Sequence, residues 1–179
     1  MSSNAINLYI GNHNAASISD FIEFLSIESN DAGLRPVITH QLFPDTKNIV
    51  IECFNRELNK NIKKLFSKND PRLVMVATEI VIDGLLNSTE PGDDEKQEGW
   101  YNTQSKYWVR RSKCFFDIVE YFGTIICVSE EIYSSIKALN LDADIVYWPP
   151  KFYGSLECFH ENWRSKNIET LKSHEFLYS

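Results

Sequence analysis

Short apolar runs rich in β-branched residues alternate with helical patterns along most of this chain. The strand signals fall at Ala5–Ile10, Pro36–Leu42, Asn48–Phe54, Arg72–Ile80, Thr124–Ser129 and Asp144–Trp148. Arg72–Ile80 is almost uniformly apolar, which is typical of a strand buried on both faces of a parallel sheet. An order of strand, helix, strand predicts βαβ units. We therefore expect an α/β fold with an open, mainly parallel Rossmann-like sheet and helices on both of its faces.

The segments between the strands carry helical patterns and their boundary signals. The predicted helices begin near Ser17, at Asn55, at Thr103 and at Ser129 or Glu130. The third is expected to run to Phe122 and to end at Gly123, because glycine is common just after a helix. The acidic segment Ser88–Gly99 is punctuated by Gly and Pro, which predicts a surface loop.

Length and charge limit the classes of protein that this chain belongs to. Its 179 residues fit one domain; we expect a Rossmann-like domain over 1–150 and a linker or helical tail over 151–179. A net charge of −7 argues against sequence-independent binding to nucleic acid or anionic membranes. The chain starts without a basic, apolar leader and holds no apolar run of about 20 residues. We therefore expect a soluble, cytoplasmic protein with no transmembrane segment.

The cysteines and histidines do not form a recognisable metal or redox motif. None of the four cysteines has CxxC spacing, and the four histidines lack metal-ligand spacing with one another or with cysteine. Cys53 and Cys127 lie within apolar runs, where a thiol behaves as a small buried hydrophobic group. We expect no metal and no cofactor.

Ligands of open parallel sheets bind beyond the carboxyl ends of the strands, near the point where the strand order reverses. The candidate residues are those that follow a strand. They are Gly11, Asn12, His13, Asn14, Asn55, Thr78, Glu79, Ser129 and Glu130. Gly11 permits close backbone approach, and the amides after it open a helix whose dipole favours an anion.

Two of these residues could serve as a general base. His13 is a proton acceptor at neutral pH, although a plain loop histidine or helix cap would have the same sequence. Glu79 follows the most buried strand signal, where burial could suit it to acid or base work. The structural alternative for Glu79 is an ion pair with a nearby Lys or Arg.

The order of the segments resembles the N-terminal Rossmann-like domain of GT-B glycosyltransferases. The stretches that carry the resemblance are NLYIGNHN, NIVIECFNRELNKNIKKLF, RLVMVATEIVIDGLLNS, YWVRRSKCFFDIVEYF, TIICVSEEIYSSIKALNL and VYWPPKFY. The resemblance implies a domain that binds the sugar acceptor, while a second domain or a partner protein binds most of the nucleotide-sugar donor. It also implies metal-independent sugar transfer, with His13 or Glu79 as the base.

Two other functions remain open from the sequence. A non-catalytic module could bind a protein through Ser88–Gly99 and the aromatic face of the Thr103–Phe122 helix, because a fold alone does not determine function. A small nucleotide-processing enzyme with a flavodoxin-like sheet is the third alternative. It would need a tight phosphate loop, for which only the turn at Gly11 is available.

Overall fold

A computed structural model describes residues 4–11, 19–51, 54–87 and 100–148. The main strands are β1 (Ala5–Ile10), β2 (Arg35–Thr39), β3 (Lys47–Ile51), β4 (Asp70–Ala77), β7 (Phe122–Cys127) and β8 (Asp144–Tyr147), and a small hairpin adds β5 (Val81–Ile82) and β6 (Leu85–Leu86). The helices are α1 (Ser19–Asp31), α2 (Arg56–Leu65), α3 (Trp100–Ile118) and α4 (Glu130–Lys137). None of these helices is both long enough and apolar enough to cross a membrane.

Six strands form one sheet in the order β2-β1-β3-β4-β7-β8, and every neighbouring pair is parallel. Leu8 at the centre of β1, for example, lies opposite Ile38 on one side and Ile49 on the other. The strand order reverses between β1 and β3, which makes this the switch point of the sheet. The expected open, parallel α/β sheet is confirmed.

The two faces of the sheet are covered by different helices. On one face, Ile22 and Leu25 of α1 pack with the β1 side chains Ile6, Leu8 and Ile10. On the other face, α2, α3 and α4 bury a larger core. Its fully enclosed members include Leu58, Ile62, Phe115, Ile118, Ile125 and Ile136. Helices on both faces were expected from the sequence and are confirmed.

Gly123 does not end a helix, and that prediction is wrong. α3 stops at Ile118, a short 3-10 turn follows over Val119–Tyr121, and Gly123 lies inside β7. A β-carbon at this position would lie 2.6 Å from the backbone oxygen of Asp70. The glycine is therefore needed for the close approach of β7 to β4, which the local sequence does not reveal.

The connection from β2 to β3 crosses β1 without a helix. The predicted strand Pro36–Leu42 ends earlier, at Thr39, and residues 40–46 carry the chain back to the start of β3. Asn48 fixes this segment through all four of its hydrogen bonds. Its Oδ1 accepts from the Phe43 amide and the Asn7 side chain, both at 2.9 Å, and its Nδ2 donates to the carbonyls of Phe43 and Thr46. A buried polar network thus replaces the usual crossover helix.

The chain after β4 forms a hairpin that the sequence interpretation did not include. Asp83 and Gly84 at its tip both have positive φ, 49° and 78°, as a two-residue type I′ turn requires. The Leu86 amide donates to Ser112 Oγ of α3 at 2.8 Å, and the Val81 amide donates to Ser135 Oγ of α4 at 3.2 Å. The hairpin is thereby attached to both helices.

Candidate functional site

The carboxyl ends of the six strands lie along a single edge of the sheet, because all six run in the same direction. Most of the site residues predicted from the sequence lie at this edge, which is called the carboxyl edge below. They are Gly11 after β1, Asn55 after β3, Thr78 and Glu79 after β4, and Ser129 and Glu130 after β7. The predicted site residues Asn12, His13 and Asn14 lie outside the described residues, as do Ser88–Gly99 and 151–179.

Asn55 and Ser129 serve as helix caps at this edge. Asn55 Oδ1 accepts from the Leu58 amide at 2.9 Å, and Ser129 Oγ accepts from the Ile132 amide at 3.3 Å. Both side chains satisfy amides that have no partner within the first turn of a helix. The caps bring the positive ends of α2 and α4 to the carboxyl edge. A ligand-binding role for either residue stays a prediction.

The N-terminus of α4 already carries negative charge. Glu130 and Glu131 both lie in its first turn. The pKa of Glu131 is lowered by a hydrogen bond from its own backbone amide and then by one from Ser129. These carboxylates offset the helix dipole and would repel an anionic ligand. An anion is therefore better accommodated near β1 and α2 than at α4.

Glu79 is buried and forms an ion pair with Arg111. Its two carboxylate oxygens lie 2.9 and 3.0 Å from Nε of Arg111 on α3. The side chains of Glu79 and Arg111 are only 6% and 7% exposed. The Arg111 guanidinium also lies 5.2 Å from the ring centre of Phe54, whose ring meets that of Phe115 edge-on. An aromatic, charged cluster thus lies beneath the middle of the carboxyl edge.

This geometry limits what Glu79 can do chemically. A general base needs a carboxylate oxygen within hydrogen-bond reach of the substrate proton. Glu79 would reach a substrate only if its contact with Arg111 opened. The ion pair weighed for Glu79 from the sequence describes its geometry, and its catalytic role stays a prediction.

His40 is a titratable group at the carboxyl edge that sequence reasoning did not select. It follows β2, and its Nδ1 lies 2.8 Å from the backbone oxygen of Ile10 at the end of β1. A carbonyl oxygen only accepts hydrogen bonds, so Nδ1 carries the proton in this contact. Nε2 of the neutral ring is then an acceptor. The sequence placed His40 inside the predicted strand Pro36–Leu42, whereas β2 ends at Thr39 and the crossover brings His40 beside the end of β1.

The described residues offer neither a metal centre nor a reactive thiol. No group of three or more His, Cys, Asp or Glu side chains within them is arranged to hold a metal ion. Burial raises the pKa of the Cys127 thiol to about 11 and also raises that of Cys114. Thiols of this kind are poor nucleophiles at neutral pH, because the thiolate is the reactive form.

Comparison of the chain with protein-family models, with curated proteins and with solved structures gave no match to any of them. The parallel sheet and the residues along its carboxyl edge are therefore the basis for a functional proposal.

Proposed function

We propose that this chain is the acceptor-binding half of a glycosyltransferase-like protein. It would transfer a sugar from a nucleotide-sugar donor together with a second domain or a partner protein. The observation that supports this is the convergence of polar residues at one edge of a wholly parallel sheet, beside a switch point between β1 and β3. Ligands of open α/β sheets bind in this place.

The donor phosphates or the acceptor would approach the β1 end of the carboxyl edge. Gly11 is buried at the end of β1, and Asn12 and Asn14 follow it as hydrogen-bonding side chains. The capped N-terminus of α2, at Asn55, adds a positive helix end on the other side of the switch point. Thr78, Ser129 and Glu130 would complete the site towards β4 and β7.

In the transfer step, a base takes the proton of an acceptor hydroxyl. The hydroxyl oxygen forms a bond to the anomeric carbon of the donor sugar. The bond from that carbon to the diphosphate oxygen breaks, and the nucleoside diphosphate leaves with the electron pair. His13 and Glu79 are the proposed bases, and the helix end at Asn55 would stabilise the charge on the leaving phosphates.

Calorimetric titration of nucleotide sugars and candidate sugar acceptors into the full chain tests the proposal. We expect acceptor binding that His13→Ala weakens by about tenfold, since a positioned hydrogen bond is worth about 1.4 kcal/mol. His174→Ala is the matched control, because His174 lies far from the first strand in the sequence. If no sugar or nucleotide sugar binds, with or without a cell extract that supplies a partner, the proposal fails.

A non-catalytic binding module is the second candidate, and the Glu79–Arg111 ion pair favours it. A carboxylate held by a buried guanidinium is a common structural device. Replacing the pair with Glu79→Leu and Arg111→Met together removes the charges without leaving either one unpaired. If that variant and His13→Ala both retain the biological activity, the chain works as a binding module and not as an enzyme.

A further inference from the structure

A groove of about 680 Å³ lies between α2 and α3. We call it the α2–α3 groove. Five basic side chains line it: Arg56, Lys60 and Lys63 from α2, and Arg110 and Lys113 from α3. Its volume falls in the range of about 300–1,000 Å³ that small-molecule pockets occupy. Arg56 at the start of α2 directly follows Asn55 of the carboxyl edge, and the other lining residues lie further along α2 and on α3.

This concentration of positive charge contrasts with the rest of the chain. The protein has 18 Lys and Arg against 25 Asp and Glu, yet among the described residues Asp117 is the only acidic one that lines the groove. Asp117 is already paired with Lys63. Within the described residues, Arg56, Lys60, Arg110 and Lys113 form no ion pair. Four positive charges therefore line the groove without an ion-pair partner in the part of the chain that the structure describes.

The floor of the groove also holds an unsatisfied buried acceptor. Asn59 is 5% exposed. Its Nδ2 donates to the Cys114 carbonyl and to Asp117 Oδ2, each at 2.9 Å. Its Oδ1 has no hydrogen-bond partner in the described part of the chain. This oxygen has almost no solvent-accessible surface, so a ligand in the groove would not reach it without a local movement, and the case for a ligand is made by the charged side chains.

We infer that the α2–α3 groove binds a small molecule that carries two or more phosphate groups. The phosphates pair with Arg56, Lys60, Arg110 and Lys113, since charge-assisted bonds from guanidinium and ammonium groups are the strongest that proteins offer to phosphate. The half-exposed Phe116 ring provides an apolar wall.

A compact ligand fits the charge distribution better than an extended polyanion does. Charges separated by more than about 8 Å are largely screened at physiological salt. A small phosphate compound in the groove therefore experiences mainly the local cations. A nucleic acid or an anionic membrane would also meet the surrounding surface of a protein with net charge −7.

Calorimetry of the full chain with inorganic tripolyphosphate tests the charged part of the groove. We expect binding that weakens as NaCl is added and that weakens by about tenfold or more with Lys60→Glu or Arg110→Glu. Lys64→Glu is the matched control, because Lys64 is exposed on the same helix but does not line the groove. Circular dichroism and thermal unfolding check that the variants fold.

Three results would overturn the inference: no binding at low salt, equal weakening by Lys64→Glu and Lys60→Glu, or tighter binding of a polyglutamate peptide or of phosphatidylserine vesicles. His13→Ala should leave tripolyphosphate affinity unchanged, so failure at the carboxyl edge and failure at the groove are distinguishable.

Discussion

Glu79 illustrates which properties of a single residue the sequence predicts and which it does not. Its position after the most buried strand followed from the apolar run that precedes it. Its partner could not be predicted, because Arg111 lies 32 residues further along the chain and meets Glu79 only after α3 has packed. In contrast, the surface pairs Lys63–Asp117 and Lys68–Glu120 expose both of their side chains by 40% or more. Burial is therefore what distinguishes the Glu79–Arg111 pair.

At this scale we predict that Glu79→Gln destabilises the fold by about 3–5 kcal/mol, because it removes one partner of a buried ion pair. Urea unfolding followed by circular dichroism measures the loss. Lys68→Met is the control, since Lys68 is exposed to solvent and its loss should affect stability far less.

The double variant Glu79→Leu with Arg111→Met separates the charge from the packing. We expect it to be more stable than Glu79→Gln, because neither charge is left unpaired. A Glu79→Gln protein as stable as the unmodified chain would show that the pair has no structural role. Glu79 would then be available for the chemistry proposed at the carboxyl edge.

Among the elements, the strands and helices with strong local patterns were predicted well, and those fixed by long-range contacts were not. β1 and the cap of α2 at Asn55 match their sequence signals. The end of β2 was placed too late, because Thr39 is followed by a crossover that depends on Asn7 and Asn48. The hairpin at Asp83 and Gly84 was missed, although a two-residue Asp-Gly turn is a strong hairpin signal. The apolar run around it obscured that signal.

The second prediction concerns the connection from β2 to β3, which Asn48 holds in place. Asn48→Ala is expected to cost about 2–4 kcal/mol, because it leaves the Phe43 amide and the Phe43 and Thr46 carbonyls without the partner they have now. Hydrogen exchange should accelerate at residues 40–47 more than in β4. Asn30→Ala is the control, since Asn30 is exposed and its side chain donates to the Ser26 carbonyl within the same helix. Uniform acceleration across the sheet would contradict a local role.

For the whole molecule, the parallel sheet could be predicted but its strand order could not. A run of apolar residues predicts each strand, and the alternation of strands with helices predicts that the strands are parallel. The order β2-β1-β3-β4-β7-β8 depends on which side of β1 each crossover takes, and no local pattern encodes that choice. The centre of the sheet further requires Gly123 against the backbone of Asp70. The fold class was therefore accessible from the sequence, whereas the topology needed the structure.

Asp70 links this central strand pair to the pH dependence of the whole fold. Its carboxylate is 1% exposed and accepts from the Arg72 amide, Nε and Nη2 at 3.0, 2.9 and 2.7 Å. The Arg72 side-chain hydrogen bonds, acting against burial, lower the pKa of Asp70 from 3.8 to about 2. The folded state therefore binds this proton less readily than the unfolded state does.

The stabilisation from Asp70 is fully present above about pH 4 and is lost as the pH falls through about 2. We expect it to amount to about 1–2 kcal/mol, because the exposed Arg72 side chain is partly screened by water. Urea unfolding across this pH range should show a shallower slope for Asp70→Asn than for the unmodified chain. Asp144→Asn, at an exposed position of the edge strand β8, should leave the slope unchanged. Parallel curves for Asp70→Asn and the unmodified chain would show that acid unfolding begins elsewhere in the molecule.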